Sequence, residues 1–168
     1  MAMDLHELTT LERLPPQNLE AEQAVLGSML LEEEAMVQAA ELLEESAFYK
    51  DTHRKIFSSL LTLYRANVPV DLVTVTEELK KRDRLEEIGG PAYLTTLTSV
   101  VPTAANAEYY CRIVKQKAIL RELIRVSTQI AGECYDGTVE PDLLLDRAET
   151  LIFDIASKKL KRDAVAMK

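Results

Sequence analysis

The sequence predicts an all-α protein: a compact multi-helix head followed by a projecting antiparallel helical hairpin. Three observations carry that expectation. Apolar residues recur at helical spacing along nearly the whole chain, and only five Gly and six Pro occur, nearly all punctuating those patterns. No run of alternating β-branched residues persists. The nearest candidate, Val68 to Val75, is broken by Pro69, and from Asp71 it reads as a capped helix with Leu72, Val75 and Leu79 on one face.

Taken in order, helices are expected near 18–31, 33–45, 50–66, 72–83, 90–100, 104–135 and 141–160. The first opens after Pro15-Pro16. Asn18 can cap it, Glu20 and Glu22 suit the positive end of its dipole, and Leu19, Leu26, Met29 and Leu30 share a face. Gly27 inside it is read as a point of close helix approach. His53 falls on the apolar face of the third helix, as a core histidine satisfied by backbone. Gly89-Gly90 end one helix and admit the next, and Pro141 suits a first helical position. The domain reading is an N-terminal arm over 1–14, a helical head over 15–103, a hairpin over 104–160 whose long helix starts against the head, and a linker beginning at 161–168.

Composition narrows the function. With 47% hydrophobic and 29% charged residues, the chain is folded and long enough to bury an ordinary core. No apolar run approaches the ~20 residues that span a bilayer, and the start has no basic region leading into an apolar one. The expectation is a cytoplasmic protein without a membrane contact. Cys111 and Cys134 lie on one long helix, roughly 35 Å apart, beyond the reach of a disulfide. They are read as buried thiols. Residues 1–100 carry 18 acidic and 9 basic side chains, whereas 101–168 carry 10 and 11. An acidic head binds DNA phosphates poorly and suits a basic protein partner, or simply a solvated surface.

No phosphate-cradling loop, dinucleotide turn, zinc-protease helix or nucleophile elbow is present. The acidic runs Glu32-Glu33-Glu34 and Glu44-Glu45 are surface and helix-end charge. From its residues the chain is therefore expected to be no enzyme, with no catalytic, cofactor-binding or metal-binding residue.

The hairpin points to a partner. Between 116 and 133 the residues Ile119, Leu120, Leu123, Ile124, Val126, Ile130 and Ala131 cover an arc of about 160°. On the following helix Leu144, Leu145, Ala148, Leu151, Ile152, Phe153, Ile155, Ala156 and Leu160 cover about 200°. One neighbour needs only ~100°. The excess predicts pairing of hairpins between copies, with Ile119, Leu120, Leu123, Val126, Leu144, Ala148, Leu151, Ile152 and Ile155 at the dimer interface. The alternative is a hairpin folded back on its own head.

Several segments also carry a family likeness. Pro15 to Leu31 (PPQNLEAEQAVLGSMLL) closely resembles the opening of the N-terminal domain of the bacterial replicative DNA helicase, the DnaB family. Phe48-Tyr49 with His53 and Ile56-Phe57, then Val68 to Val75, Ile88 to Leu94 and Pro102 to Asn106 are similar in the same order. Tyr109-Tyr110 with Ile113-Val114, and Arg121 with Leu123-Ile124, extend the resemblance to about residue 131.

The resemblance implies a collar module: a dimer through the hairpins, three dimers in a hexameric ring, and a docking surface for the helicase-binding domain of primase. Family-matching positions place that contact at Glu20, Tyr93, Ile124 and Ile130, against core packing for Tyr93 and Ile130 and helix-dipole charge for Glu20. It also implies that ATP and Mg belong to a motor domain absent from this stretch, that a helicase loader contacts the ring, and that DNA is met only through the parent ring. Two other readings stay open. One is a free-standing regulator or loader that co-assembles with helicase subunits. The other is a DNA-binding module using Arg112, Lys115, Lys117, Arg121 and Arg125.

Overall fold

The structure, a computed structural model, describes residues 13–167. Among these it is all-helical, as the spacing of apolar residues predicts. Seven α-helices follow in order: α1 Leu19–Leu31, α2 Glu33–Leu42, α3 Asp51–Arg65, α4 Leu72–Lys81, α5 Gly90–Val100, α6 Ala107–Asp136 and α7 Pro141–Ala166. Single 3-10 turns at Glu45–Ala47 and Ala104–Asn106 lead into the segments before α3 and α6. The N-terminal arm falls almost entirely outside the described residues.

Local chemistry explains where these helices start. Asn18 Oδ1 accepts from the Ala21 amide at 2.9 Å and caps α1. Asp71 and Thr74 form a reciprocal capping box at α4, with Asp71 as the cap. Gly89 and Gly90 take φ of 102° and 72°, left-handed values that let the chain turn directly into α5. Gly137, at φ 64°, ends α6 in the same way.

The core is built around α1. The sequence reads this helix as amphipathic, but it is buried on nearly every side, with Ala21, Glu22 and Ala24 through Leu30 all inside. The cause is position: α2, α3, α5 and α6 all pack against it. Only Leu19, of the four residues expected on one buried face, remains exposed. Gly27 permits the closest of these approaches, because a Cβ there would overlap the Leu97 carbonyl oxygen and Val101 Cγ2. Phe48 and Phe57 pack with ring centroids 4.8 Å apart beneath α3.

The first turns of α6 belong to this core through Cys111 and Val114, with Tyr110, Ile113 and Ala118 packed against it. Helix α6 then runs on, about 45 Å in all, and α7 returns antiparallel to it for about 39 Å. Two ion pairs set the register: Arg147 to Glu133 at 3.0 Å near the tip, and Lys115 to Asp163 at 2.8 Å near the head. Helix α7 continues to Ala166, so most of the stretch expected to begin a linker after residue 160 is helical. The Lys115–Asp163 pair holds those added turns. Its later half also packs on α2, so the hairpin is folded back on the head near its base and projects toward its tip.

The cysteines divide. Cys111 is buried, and that burial, with Glu108 nearby, pushes its thiol up to about 12. Cys134 is exposed near the hairpin tip, which corrects the expectation of two buried thiols.

Candidate interaction surface

The hairpin surface follows from counting residues around each helix at about 100° per step. On α6, Ile119, Leu123, Val126 and Ile130 form one stripe. On α7, Leu144, Ala148, Leu151 and Ile155 form another. All eight are buried or half-buried, and these stripes make the seam between the two helices. Val126 is 1% exposed. A residue enclosed that fully by its own chain is not available to a second copy, which corrects its place in the expected dimer interface.

Roughly 80–180° beyond each seam lies a second apolar stripe. On α6 it contains the exposed Leu120, Ile124, Ala131 and Tyr135; on α7 it contains the exposed Leu145, Ile152, Phe153, Ala156 and Leu160. Antiparallel helices wind in opposite senses seen from one end. Stripes displaced in the same rotational direction therefore fall on the same side of the hairpin. One side is thus apolar and open to solvent, with Ile152 42% and Phe153 67% exposed. The other side carries Glu122, Arg125, Asp154 and Lys158, beside the loop from Leu43 to Ala47. Of the nine residues expected at the dimer interface, only Leu120 and Ile152 are exposed; the other seven lie in the seam.

The head holds a buried polar relay that periodicity did not reveal. Glu22 is 1% exposed, and its carboxylate accepts from the amides of Tyr49 at 2.8 Å and Lys50 at 3.3 Å. It also lies 2.8 Å from His53 Nδ1. A carboxylate can only accept, so Nδ1 carries the proton and donates. His53 Nε2 then accepts from the Tyr93 hydroxyl at 2.5 Å, and Gln23 Nε2 lies 3.5 Å from that same oxygen. His53 is therefore satisfied by two side chains and not by backbone. Glu22 caps the start of α3 from across the core, a role beyond the dipole interaction expected for it.

These contacts place the expected primase-binding residues. Glu20 is exposed in the first turn of α1. Tyr93 is half-buried on α5, its hydroxyl held by His53 and the Lys50 ammonium 5.3 Å from its ring centre. Gln23 links the two, one turn after Glu20 and against Tyr93. Ile124 and Ile130 sit apart on α6. Ile124 is 52% exposed in the outer stripe and Ile130 half-buried in the seam, about 120° around the helix from each other. Glu20 and Tyr93 thus belong to the head helices α1 and α5, and Ile124 and Ile130 to the hairpin helix α6.

The basic face offered for DNA is largely spent within the chain. Arg112 pairs with Glu108, Lys115 with Asp163 and Arg125 with Glu122. Arg121 is turned inward. Its guanidinium donates to the Pro16 carbonyl at 2.8 Å and the Ala47 carbonyl at 2.6 Å, and lies 5.6 Å from the Tyr49 ring centre. Of the five, Lys117 alone has no hydrogen-bonded or ionic partner among the described residues. Among the described residues no helix is long and apolar enough to cross a membrane.

Residues 14–116 match the family model for the DnaB-like helicase N-terminal domain. The replicative DNA helicase DnaB of Geobacillus stearothermophilus is 51% identical over 148 residues, covering 88% of this chain and 33% of that protein. The chain thus spans about a third of that relative's length. The crystal structure of the N-terminal domain of DnaB helicase from Mycobacterium tuberculosis superposes with a TM-score of 0.80 at 44% identity, covering 84% of this chain and 99% of that one. A DnaB-like replicative helicase, solved in a study of its interactions with primase, gives a TM-score of 0.69 at 27% identity over 82% of this chain and 31% of that one. With the seven-helix order, the hairpin and these matches in agreement, the chain belongs to the DnaB-like helicase N-terminal domain family.

Proposed function

We propose that this chain is the collar module of a replicative DNA helicase. Two copies join through the apolar sides of their hairpins, three dimers close a six-membered collar, and the head docks the helicase-binding domain of primase. The observation that carries this reading is the outer hairpin face. Full burial of a large apolar side chain gains about 1.5–3 kcal/mol, and among the described residues these are left exposed, Phe153 by 67% and Ile124 by 52%. A second copy offers the same stripe by two-fold symmetry.

Sedimentation tests the pairing. The 168-residue chain is expected to sediment as a dimer or larger, and Ile152→Asp to shift it to monomer at equal concentration with unchanged helix content. A folded Ile152→Asp variant of unaltered mass would remove this interface.

For primase, Glu20 and Tyr93 supply the head contact, while Ile124, covered in the paired hairpins, and Ile130, in the seam, act indirectly by holding α6 in place. The support is the relation to a helicase solved with attention to primase and the exposed carboxylate of Glu20 in the first turn of α1. Tyr93→Ala is expected to weaken the primase domain about tenfold or more by calorimetric titration, an effect size usual for a buried aromatic at an interface. Wild-type affinity in that variant would place the contact elsewhere.

In this reading ATP and Mg are used by the motor of the longer protein, DNA is engaged through the assembled ring, a loader contacts the ring, and the compartment is the cytoplasm. The relatives that carry the match are themselves named replicative DNA helicases, which favours this over a free-standing regulator. The internal pairing of the basic residues on α6 disfavours a DNA-binding module.

A further inference from the structure

A groove of about 430 Å³ runs beside the start of α1, between the end of α5 and the first turns of α6. Ala21 and Ala24 form its floor, Val100, Tyr110 and Ile113 its walls, and Glu20 stands at its rim. Small residues below and branched or aromatic residues at the sides leave room for the apolar side chains of a visiting segment. Val100 is 46% exposed although it is β-branched and flanks the core, so the wall is open to a visitor. Glu20 has no hydrogen-bonded or ionic partner among the described residues. Gln23, which also lines the groove, reaches the Tyr93 hydroxyl at 3.5 Å and makes the groove continuous with the proposed head contact.

We propose that this groove is the socket of the head's docking site, taking a branched apolar side chain from an amphipathic partner helix whose Lys or Arg one turn away pairs with Glu20. The inference rests on the reading of the head as the primase dock and adds to it the recognition chemistry: an apolar side chain and a cation at i and i+3 or i+4 on the incoming helix. Val100, Tyr110 and Ile113 set the width of the socket and so select among apolar side chains. Glu20 sets orientation, because only one direction of the helix brings its cation over the carboxylate. An acidic head, with twice as many acidic as basic side chains over residues 1–100, favours such a basic-edged helix over an acidic one.

Calorimetric titration of the 168-residue chain with the cognate primase helicase-binding domain tests it at two salt concentrations. Val100→Arg places a charge on the open wall and is expected to weaken binding about tenfold, with thermal stability and sedimented mass unchanged. Glu20→Lys is expected to weaken it several-fold and to flatten the salt dependence of the wild type, which a Lys→Glu or Arg→Glu change on the partner helix restores. Val73→Arg, an exposed position on α4 away from the groove, is expected to bind as wild type. Wild-type binding that Val100→Arg and Glu20→Lys both leave intact would overturn the socket and spare the docking reading. Absence of binding by the wild-type chain would overturn both.

Discussion

Replacing Gly27 with valine is expected to destabilise the head by at least about 3 kcal/mol, enough to abolish folding at moderate temperature. In an isolated helix a Gly-to-Ala change gains about 1 kcal/mol, so propensity argues for the opposite sign. The packing overrides it. A Cβ at residue 27 would overlap the Leu97 carbonyl oxygen, which is helix backbone and cannot rotate away, and the Val101 side chain on the same approach. Relief requires α5 to move off α1, opening the core, and overpacking of that kind costs about 1–3 kcal/mol or more. Even alanine carries the offending atom. Gly132, also helical and with no atom within 4 Å of where its Cβ would sit, is the matched control. Gly132→Ala is expected to stabilise by about 0.5–1 kcal/mol. Urea denaturation of Gly27→Ala, Gly27→Val and Gly132→Ala checks the pair; a neutral Gly27→Ala would mean that α5 yields more easily than its backbone contact implies.

The second large effect is expected at Glu22. Its carboxylate is the common acceptor for two backbone amides just before α3 and for the buried His53. Glu22→Ala leaves the Tyr49 and Lys50 amides and the imidazole N–H without that partner and opens a cavity against α3. A buried donor left without its acceptor costs about 1–3 kcal/mol, and three donors share this one carboxylate, so the loss is expected to reach about 3 kcal/mol or more. Glu22→Gln is nearly isosteric but presents an NH₂ where a donor already points, so it is expected to recover only part of the loss. His53→Ala removes one contact of the three and also frees the Tyr93 hydroxyl, so a double-mutant cycle with Glu22→Ala would read their coupling. Equal stability of Glu22→Ala and wild type in denaturant titration would show that water serves these donors as well as the carboxylate does.

Both effects bear on what can be read from residue order alone. Helical period, caps and the breakers Pro16, Pro69, Gly89 and Pro141 are local, and helix positions follow from them to within a few residues. Gly27 is legible too, because an uncompensated glycine inside a helix has few other reasons to be there. The relay is not. Glu22 looks like a first-turn acid until α3 delivers two amides and a histidine to it, and those partners lie 27 to 31 residues away along the chain. The hairpin shows a subtler limit. The breadth of its apolar arcs was visible, but an arc does not say which part the partner helix takes. Val126 lies within the same arc as Leu120, and only the docking of α7 separates the seam from the open face. The end of α7 is not legible because Lys161, Arg162 and Asp163 read as a polar linker, whereas Asp163 closes on Lys115 across the hairpin. The groove beside α1 was illegible for the same reason as the relay, since α1, α5 and α6 each contribute walls.

That last ion pair has a mechanical consequence. The two rods of the hairpin are clamped together where they leave the head and again, by Arg147 and Glu133, close to the turn. Between Lys115 and the turn α6 extends roughly 32 Å. A torque applied at the turn is resisted by two rods fastened at both ends, which swing as a stiff crank where a single helix would flex. Any displacement out there is transmitted to the base of α6, where Cys111 and Val114 are set among the side chains of the head.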